Sequence, residues 1–272
     1  MVLRIILSRK GFDAQYGGQP SPILPDGTLL SLPIPEPRDS LAFEDLSHGG
    51  FTYWELIRSL HPATKLSGAS TCHLDPDLDP RALPRDSKWR ALLGQTGAAQ
   101  GHLAKCGVGK GDLFLFFGTF RQTEMGEQGL TYRKDAPEVH MIFGYLQVEE
   151  VIDPREDCGP EISYHPHAQE RFRAAKHNRI YRASERLDFF PERPGGGVLK
   201  AHPGLQLTKP GFSKSRWQLP DCFRGVPISY HTAESFRPEY FQSAAKGQEF
   251  VVTANQKVKD WAKGLIGEGN RY

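Results

Sequence analysis

Leu113-Phe-Leu-Phe-Phe117 is the segment that most restricts the fold: five consecutive apolar residues set between Gly111-Asp112 and Gly118. A run that does not alternate cannot give a sheet one wet face and one dry face, so it demands a strand covered on both sides. It is also far short of the roughly 18 apolar residues needed to cross a bilayer, and no other stretch is longer. His140 to Val148 supplies a second strand, alternating in part and ending at Glu149-Glu150, with a polar loop from Met125 to Ala136 joining the two. Gly118 and Gly144 fall where such strands would bend. The expectation is an α+β protein: a curled β-sheet or small β-barrel core around residues 107–152 plus later strands, with peripheral helices and long loops. The 272 residues are read as a single domain spanning 1–272. A Rossmann sheet needs regular strand–helix alternation, which is missing.

The remaining elements follow from local pattern. The first seven residues read as a buried strand, and Ile23-Leu24 and Thr28 to Leu32 flank the turn Pro25-Asp26-Gly27 as a hairpin. Thr52 to Leu60 reads as a short helix. Ser87 to Lys105 reads as a longer one, capped by Asp86 or Ser87, with Trp89, Leu92, Leu93 and Leu103 on its buried side. Pro166 to Ala175 is a further helix. Asn178 to Arg182, Val198 to Lys200, Leu205 to Leu207 and Gly247 to Thr253 are strands, and Lys257 to Ile266 is a closing helix.

Charge is sorted along the chain although 34 Lys+Arg nearly balance 32 Asp+Glu. Lys134 to Glu161 holds eight acids against two bases, and Arg171 to Arg193 holds seven bases against three acids. A net charge of +2 excludes a protein that coats nucleic acid by bulk charge. The basic stretch instead suggests a local grip on phosphate, with the acidic segment facing away. The short apolar N-terminus without a small-residue cleavage site implies a cytoplasmic protein without membrane association. Cys72, Cys106, Cys158 and Cys222 lie too far apart for a zinc site and fit reduced, structural thiols.

Several motifs bear on chemistry. Cys106-Gly-Val-Gly-Lys-Gly-Asp112 has the glycines of a phosphate loop in the wrong order, between a helix and a strand, and reads as a helix C-cap and connector. His73-Leu-Asp-Pro-Asp-Leu-Asp79 spaces its carboxylates like a calcium loop but has Pro80 where glycine is needed, which leaves Asp75 and Asp77 either as acids that initiate turns or as a candidate catalytic or magnesium-binding pair. His165-Pro-His167 can present two imidazoles, yet no acid partner stands at helical spacing, so no metal ligands are assigned. Hydrolase elbows and zinc-protease helices are absent. The richest stretch is Ser8 to Ile23, a loop leaving a strand. There Arg9, Lys10 and backbone amides can hold phosphate, while Asp13 or Tyr16 meets a base or sugar beside the hydroxyls of Ser8 and Ser21. The alternative is a rigid loop in which Arg9 and Asp13 simply pair.

Ser8 to Pro35, together with HLDPDL at 73–78, GVGKGDLFLFFGTFR at 107–121, IFGYLQVEEVI at 142–152, SRWQLP at 215–220 and KGQEFV at 246–251, resembles the bacterial and phage family called nucleotide modification associated domain 3. The resemblance implies association with DNA base modification, with nucleotide or DNA and other modification proteins as partners. It supplies no reaction, cofactor or catalytic residue. GDLFLFF followed by IFGYLQV is also similar to paired barrel strands of PUA-like modules, the ASCH and EVE groups, which bind bases. Two readings follow. In the preferred one the chain is an enzyme acting on a nucleotide base. Asp13, Asp75 and Asp77 serve as base or metal ligand, Arg9 and Arg121 hold phosphate, and His102 or His177 moves protons. In the other it is a non-catalytic reader that stacks a base on Tyr145 or Trp217 and grips the backbone with the basic stretch from Arg171 to Arg216. A plain interaction scaffold is the third option.

Overall fold

The computed structural model describes residues 3–127, 129–156, 158–244 and 247–268. Nine strands form one mixed sheet: β1 (Arg4–Arg9), β2 (Ser21–Ile23), β3 (Leu92–Thr96), β4 (Leu113–Gly126), β5 (Gly129–Tyr132), β6 (Val139–Ile152), β7 (Asn178–Ala183), β8 (Gly196–Val198) and β9 (Glu249–Thr253). The order is β9-β1-β4-β6-β7-β3, with β2 and β5 also pairing with β4 and β8 with β6. As its composition demands, β4 lies at the centre and is buried on both faces from Leu113 to Phe120. It runs parallel to β1 and antiparallel to β6, where the register shifts between Ile142 and Gly144. Of the two cores expected around residues 107–152 plus later strands, a curled sheet or a small barrel, the large mixed sheet is found and the closed barrel is not seen among the described residues. Among the described residues no backbone ladder joins the outer strands β9 and β3, which are bridged instead by a side-chain hydrogen bond, Gln95 Nε2 donating to Glu249 Oε1 at 2.6 Å.

Among the described residues three helices of eight residues or more pack around this sheet: α1 (Tyr53–Leu60), α2 (Gly97–Lys105) and α3 (Gln256–Glu268). Thr52 and Glu55 form a reciprocal capping box that starts α1, and Tyr53, Leu56, Ile57 and Leu60 bury its apolar side in a second hydrophobic cluster with Phe12, Leu32 and Phe43. The helix expected from Ser87 to Lys105 is instead a strand followed by a helix. Leu92 and Leu93 pair with Arg182 and Tyr181, and Gly97 at φ +61° turns the chain into α2. Pairing with β7 overrides a helical pattern that fits both. Asp86 closes a local turn on the Lys88 amide rather than capping a helix.

Other boundaries move for similar reasons. Pro166 to Ala175 is a 3-10 turn followed by the single turn Glu170–Arg173, Pro203–Leu205 is also a 3-10 turn, and the Met125 to Ala136 loop contains the β4–β5 hairpin. Met1, Val2, Gln128 and Lys246, which belong to expected elements or motifs, lie outside the described residues, as does Asp157 of the acidic stretch. The connector at Cys106 to Asp112 ends α2 as expected, with the Val108 amide returning to the Leu103 carbonyl. None of the four cysteines forms a disulfide. No described helix is long and apolar enough to cross a membrane.

The acidic and basic stretches do not face apart. They meet as the antiparallel pair β6 and β7 and the segments flanking them, so that Arg182 binds Glu150 and lies 3.8 Å from Glu161, and Arg179 lies 3.1 Å from Asp153. Much of the basic charge set aside for phosphate is therefore neutralised within the fold.

Candidate functional site

The register of β1 against β9 places Ser8 opposite Glu249, and Lys10 follows two residues later on the same face. Glu249 Oε1 accepts from Ser8 Oγ at 3.0 Å and from Gln95 Nε2 at 2.6 Å, and it lies 4.0 Å from Lys10 Nζ. The same ammonium meets Asp75 Oδ2 at 3.0 Å. Gly118 makes this possible, because a Cβ there would stand 2.6 Å from the Lys10 carbonyl oxygen. Burial pushes the Glu249 carboxyl up to about 7, outweighing Lys10 and its two hydrogen bonds. Burial alone would pull Lys10 down, but Asp75 and Glu249 raise it. Burial likewise opposes ionisation of Asp75, yet Lys10 and the nearby histidines His165 and His167 hold it well below the usual carboxylate range. Near neutral pH the network thus contains a fixed ion pair beside a carboxyl poised to exchange its proton.

Three histidines surround Asp75. The backbone amide of Gly94 donates to Asp75 Oδ1 at 2.5 Å, and His165 Nε2 lies 3.6 Å from the same oxygen. His165 Nδ1 accepts from the His167 amide at 3.3 Å, which puts its proton on Nε2, toward Asp75. His167 is oriented the other way. Its Nδ1 meets Asn178 Oδ1 at 2.7 Å, while Asn178 Nδ2 donates to the His167 carbonyl at 2.9 Å and so fixes the amide. Burial pushes His167 down to about 3, leaving it neutral, with the proton on Nδ1 and a lone pair on Nε2. His73 Nδ1 meets Asp39 Oδ2 at 2.7 Å, and the two Nε2 atoms of His73 and His167 stand 3.3 Å apart. Phe172 stacks on the His167 ring at 4.5 Å.

A cleft of about 420 Å³ opens over these groups, within the range of small-molecule sites, roughly 300–1,000 Å³. Lys10, His73, Asp75, Gln95 and His167 line it, and Arg9, Asp13 and Tyr16 bring the N-terminal loop to its wall. Phe12, fully buried against Phe43, anchors that loop. Asp13 orders it: Oδ1 accepts the amides of Gln15 and Tyr16, and Oδ2 pairs with Arg9 at 2.8 Å. The ring of Tyr16 stays 45% exposed. A larger recess of about 720 Å³ lies at Ser87–Leu92 and Arg182–Arg186, lined by the exposed or half-buried charges of Lys88, Arg90, Glu161, Arg182, Glu185 and Arg186, whereas the buried titratable groups converge on the smaller cleft.

Of the residues singled out from sequence, the fold gathers Ser8, Arg9, Lys10, Asp13, Tyr16 and Asp75 at or beneath this cleft. It places the others elsewhere. Asp77 is fully buried in an ion pair with Arg85 at 2.5 Å and accepts from the Tyr164 hydroxyl at 2.6 Å. His102 bonds Ser229 at 2.9 Å and packs on Tyr230, and His177 is exposed. Ser21 is buried and accepts the Leu32 amide. Arg121 donates to the Arg133 carbonyl, and Arg216 lies over Tyr240. Trp217 and Tyr145 are enclosed in the core and offer no face to a base, because each completes the packing around β4 and β6. Sequence reasoning gave no role to Glu249, Gln95, His73 or Phe172. The available signal was a glutamate heading the otherwise apolar strand Glu249-Phe-Val-Val252, since a carboxyl in a buried strand needs a partner or a purpose.

The family described as nucleotide modification associated domain 3 matches residues 4–253 of the chain. No curated protein and no solved structure matches it.

Proposed function

The chain belongs to the nucleotide modification associated domain 3 family, and from that premise we propose that its cleft takes up a nucleotide, free or within DNA, and performs acid–base chemistry on the base. The observation that carries this reading is the Glu249–Lys10–Asp75 network beneath the cleft, with one carboxyl pushed up to about 7 next to a permanent ion pair. A group that titrates near neutrality accepts and returns protons most effectively there. Lys10 and Asp75 hold the local charge while Glu249 changes state. Tyr16, with its ring free at the rim, is suited to stack on a base, and Arg9 adds a cation where a phosphate would enter. A non-catalytic reader would use the same rim but would not need Glu249 to ionise.

The test is to express the chain with its neighbouring modification genes, digest the DNA and measure its nucleosides by mass spectrometry. Wild type yields a modified nucleoside, Glu249→Gln loses it while still binding nucleoside monophosphates in calorimetry, and Asp77→Asn keeps it. Full modification by the Glu249→Gln protein would assign the cleft to binding alone. Failure of the wild-type chain to bind any nucleotide or oligonucleotide would remove the proposal.

A further inference from the structure

The geometry points to a metal site beside the Lys10 network: we propose that His73 Nε2, His167 Nε2 and a carboxylate oxygen of Asp75 bind a divalent first-row transition cation. The three ligand atoms lie within 4.8 Å of one another. The inference rests on the imidazoles and is independent of what the cleft binds.

The hydrogen bonds fix which nitrogen of each ring is free. His73 gives its Nδ1 proton to Asp39 and His167 gives its own to Asn178, both at 2.7 Å. This is the arrangement by which outer partners orient histidine ligands and make the opposite nitrogen more basic. The two Nε2 atoms are then turned toward each other at 3.3 Å with their rings inclined by 57°. That separation is at the long end of a hydrogen bond between two ring nitrogens. It equals the spacing of about 3.3 Å for two imidazoles held at 2.0–2.1 Å from one tetrahedral zinc ion. Two ring nitrogens facing each other at this distance need a proton or a metal cation between them, and a metal ion can take the place of the shared proton.

Asp75 completes the set. Each of its oxygens accepts one hydrogen bond, from Gly94 or from Lys10, and keeps a second lone pair for a metal. His165 Nε2 stands 3.6 Å from the carboxylate and its Nδ1 already accepts the His167 amide, so it is not one of the three clustered ligands. Two imidazoles and one carboxylate leave coordination positions open, as in catalytic rather than structural metal sites. All three residues line the cleft, so those positions are within reach of a bound molecule.

The experiment uses the full chain, stripped with a chelator and then titrated with Zn²⁺ by calorimetry and with Co²⁺ by visible absorption. One equivalent of each ion should bind. X-ray absorption of the Co²⁺-loaded wild-type protein should show imidazole scattering with nitrogens at about 2.0–2.1 Å. His73→Ala and His167→Ala should each weaken Zn²⁺ binding on the order of 100-fold or more, Asn178→Ala by about 10–100-fold, and His61→Ala, at the end of α1, not at all. Because His167→Ala can unfold the chain, the wild-type absorption spectrum decides independently of any variant. The proposal is overturned if the folded wild-type chain binds neither ion, if the bound ion shows no imidazole neighbour, or if His73→Ala binds Zn²⁺ as tightly as wild type.

Discussion

Asp75 and Asp77, two residues apart in the chain, serve separate networks: Asp75 pairs with Lys10 at 3.0 Å under the cleft, whereas Asp77 pairs with Arg85 at 2.5 Å and accepts from the Tyr164 hydroxyl. The spacing that suggested a cooperating carboxylate pair is divided by the fold, since the backbone of Asp77 is bonded in both directions to Leu92 at the edge of β3. The two residues therefore have different jobs.

Substitution should separate them. Asp77→Asn leaves Arg85 buried without its counter-ion and is expected to cost about 3–5 kcal/mol of stability, with nucleotide affinity of the folded protein unchanged. Asp75→Asn should weaken ligand binding as well, because it removes the negative charge that holds Lys10 and sets a donor NH2 beside that ammonium. Urea unfolding and calorimetric titration on the same samples measure the two effects. Equal losses of affinity in both variants would mean that the networks are not separate.

Glu249 sets a pH dependence whose sign is fixed by its raised pKa. The folded chain holds this proton up to about pH 7, while the unfolded chain releases it near 4.5. The stabilising contribution is thus complete below pH 4.5 and lost as the pH rises through 7, a change of roughly 3 kcal/mol. Glu249→Gln resembles the protonated side chain and does not titrate. Its stability relative to wild type should rise by that amount between pH 4 and pH 8, measured by urea unfolding at several pH values. A constant offset across the range would show that Glu249 does not titrate there.

How much of this could be read from the sequence depends on the range of the forces involved. Leu113 to Phe117 announces a doubly buried strand because hydrophobicity is local to the segment, and Thr52 with Glu55 announces α1 for the same reason. The loop from Ser8 to Ser21 stands out in the sequence because its polar residue types are dense and close together, and the fold brings Ser8, Arg9, Lys10, Asp13 and Tyr16 of it, but not Ser21, to the candidate site. Glu249 does not stand out, since its meaning comes from Ser8 and Gln95, 241 and 154 residues away. The histidines were legible as a pair in His165-Pro-His167, but their polar neighbours, Asp75 beside His165 and Asn178 on His167, arrive only through tertiary packing, which also turns the two rings to different tasks. Trp217 illustrates the opposite error. An aromatic beside Arg216 resembles a stacking platform until the core closes over it.

Tyr16 should contribute to binding without contributing to the fold. Its ring is exposed and its position is set by the backbone, through the Asp13 carboxylate and the Asp13 amide, rather than by its own packing. Tyr16→Ala is expected to lower affinity for a nucleoside monophosphate by the worth of one stacked base, about 1–3 kcal/mol, while stability moves by less than about 0.5 kcal/mol. Tyr16→Phe should bind as wild type does. Fluorescence or calorimetric titration gives the affinities, and an unchanged affinity for Tyr16→Ala would place the base elsewhere in the cleft.

Gly94 is required by the ring of His167 rather than by backbone conformation. A Cβ at this position would lie 2.2 Å from two atoms of that ring, and the ring is held by Phe172 stacked on it and by its hydrogen bond to Asn178. Gly94→Ala must therefore displace either His167 or β3. Displacing β3 also shifts the amide that holds Asp75, so both routes disturb the His73–His167–Asp75 cluster. The expected cost is about 1–3 kcal/mol of overpacking, together with a drop in Zn²⁺ affinity of roughly tenfold or more, since ligand placement is what outer contacts maintain. Gly101→Ala in α2 is the matched control: its Cβ would meet open space, and relief of glycine's chain entropy in a helix should add about 0.5–1 kcal/mol. Urea unfolding and Zn²⁺ titration of the two variants side by side distinguish a steric requirement from a general intolerance of alanine. If Gly94→Ala matched wild type in both measurements, the close approach of strand and imidazole would have no energetic consequence.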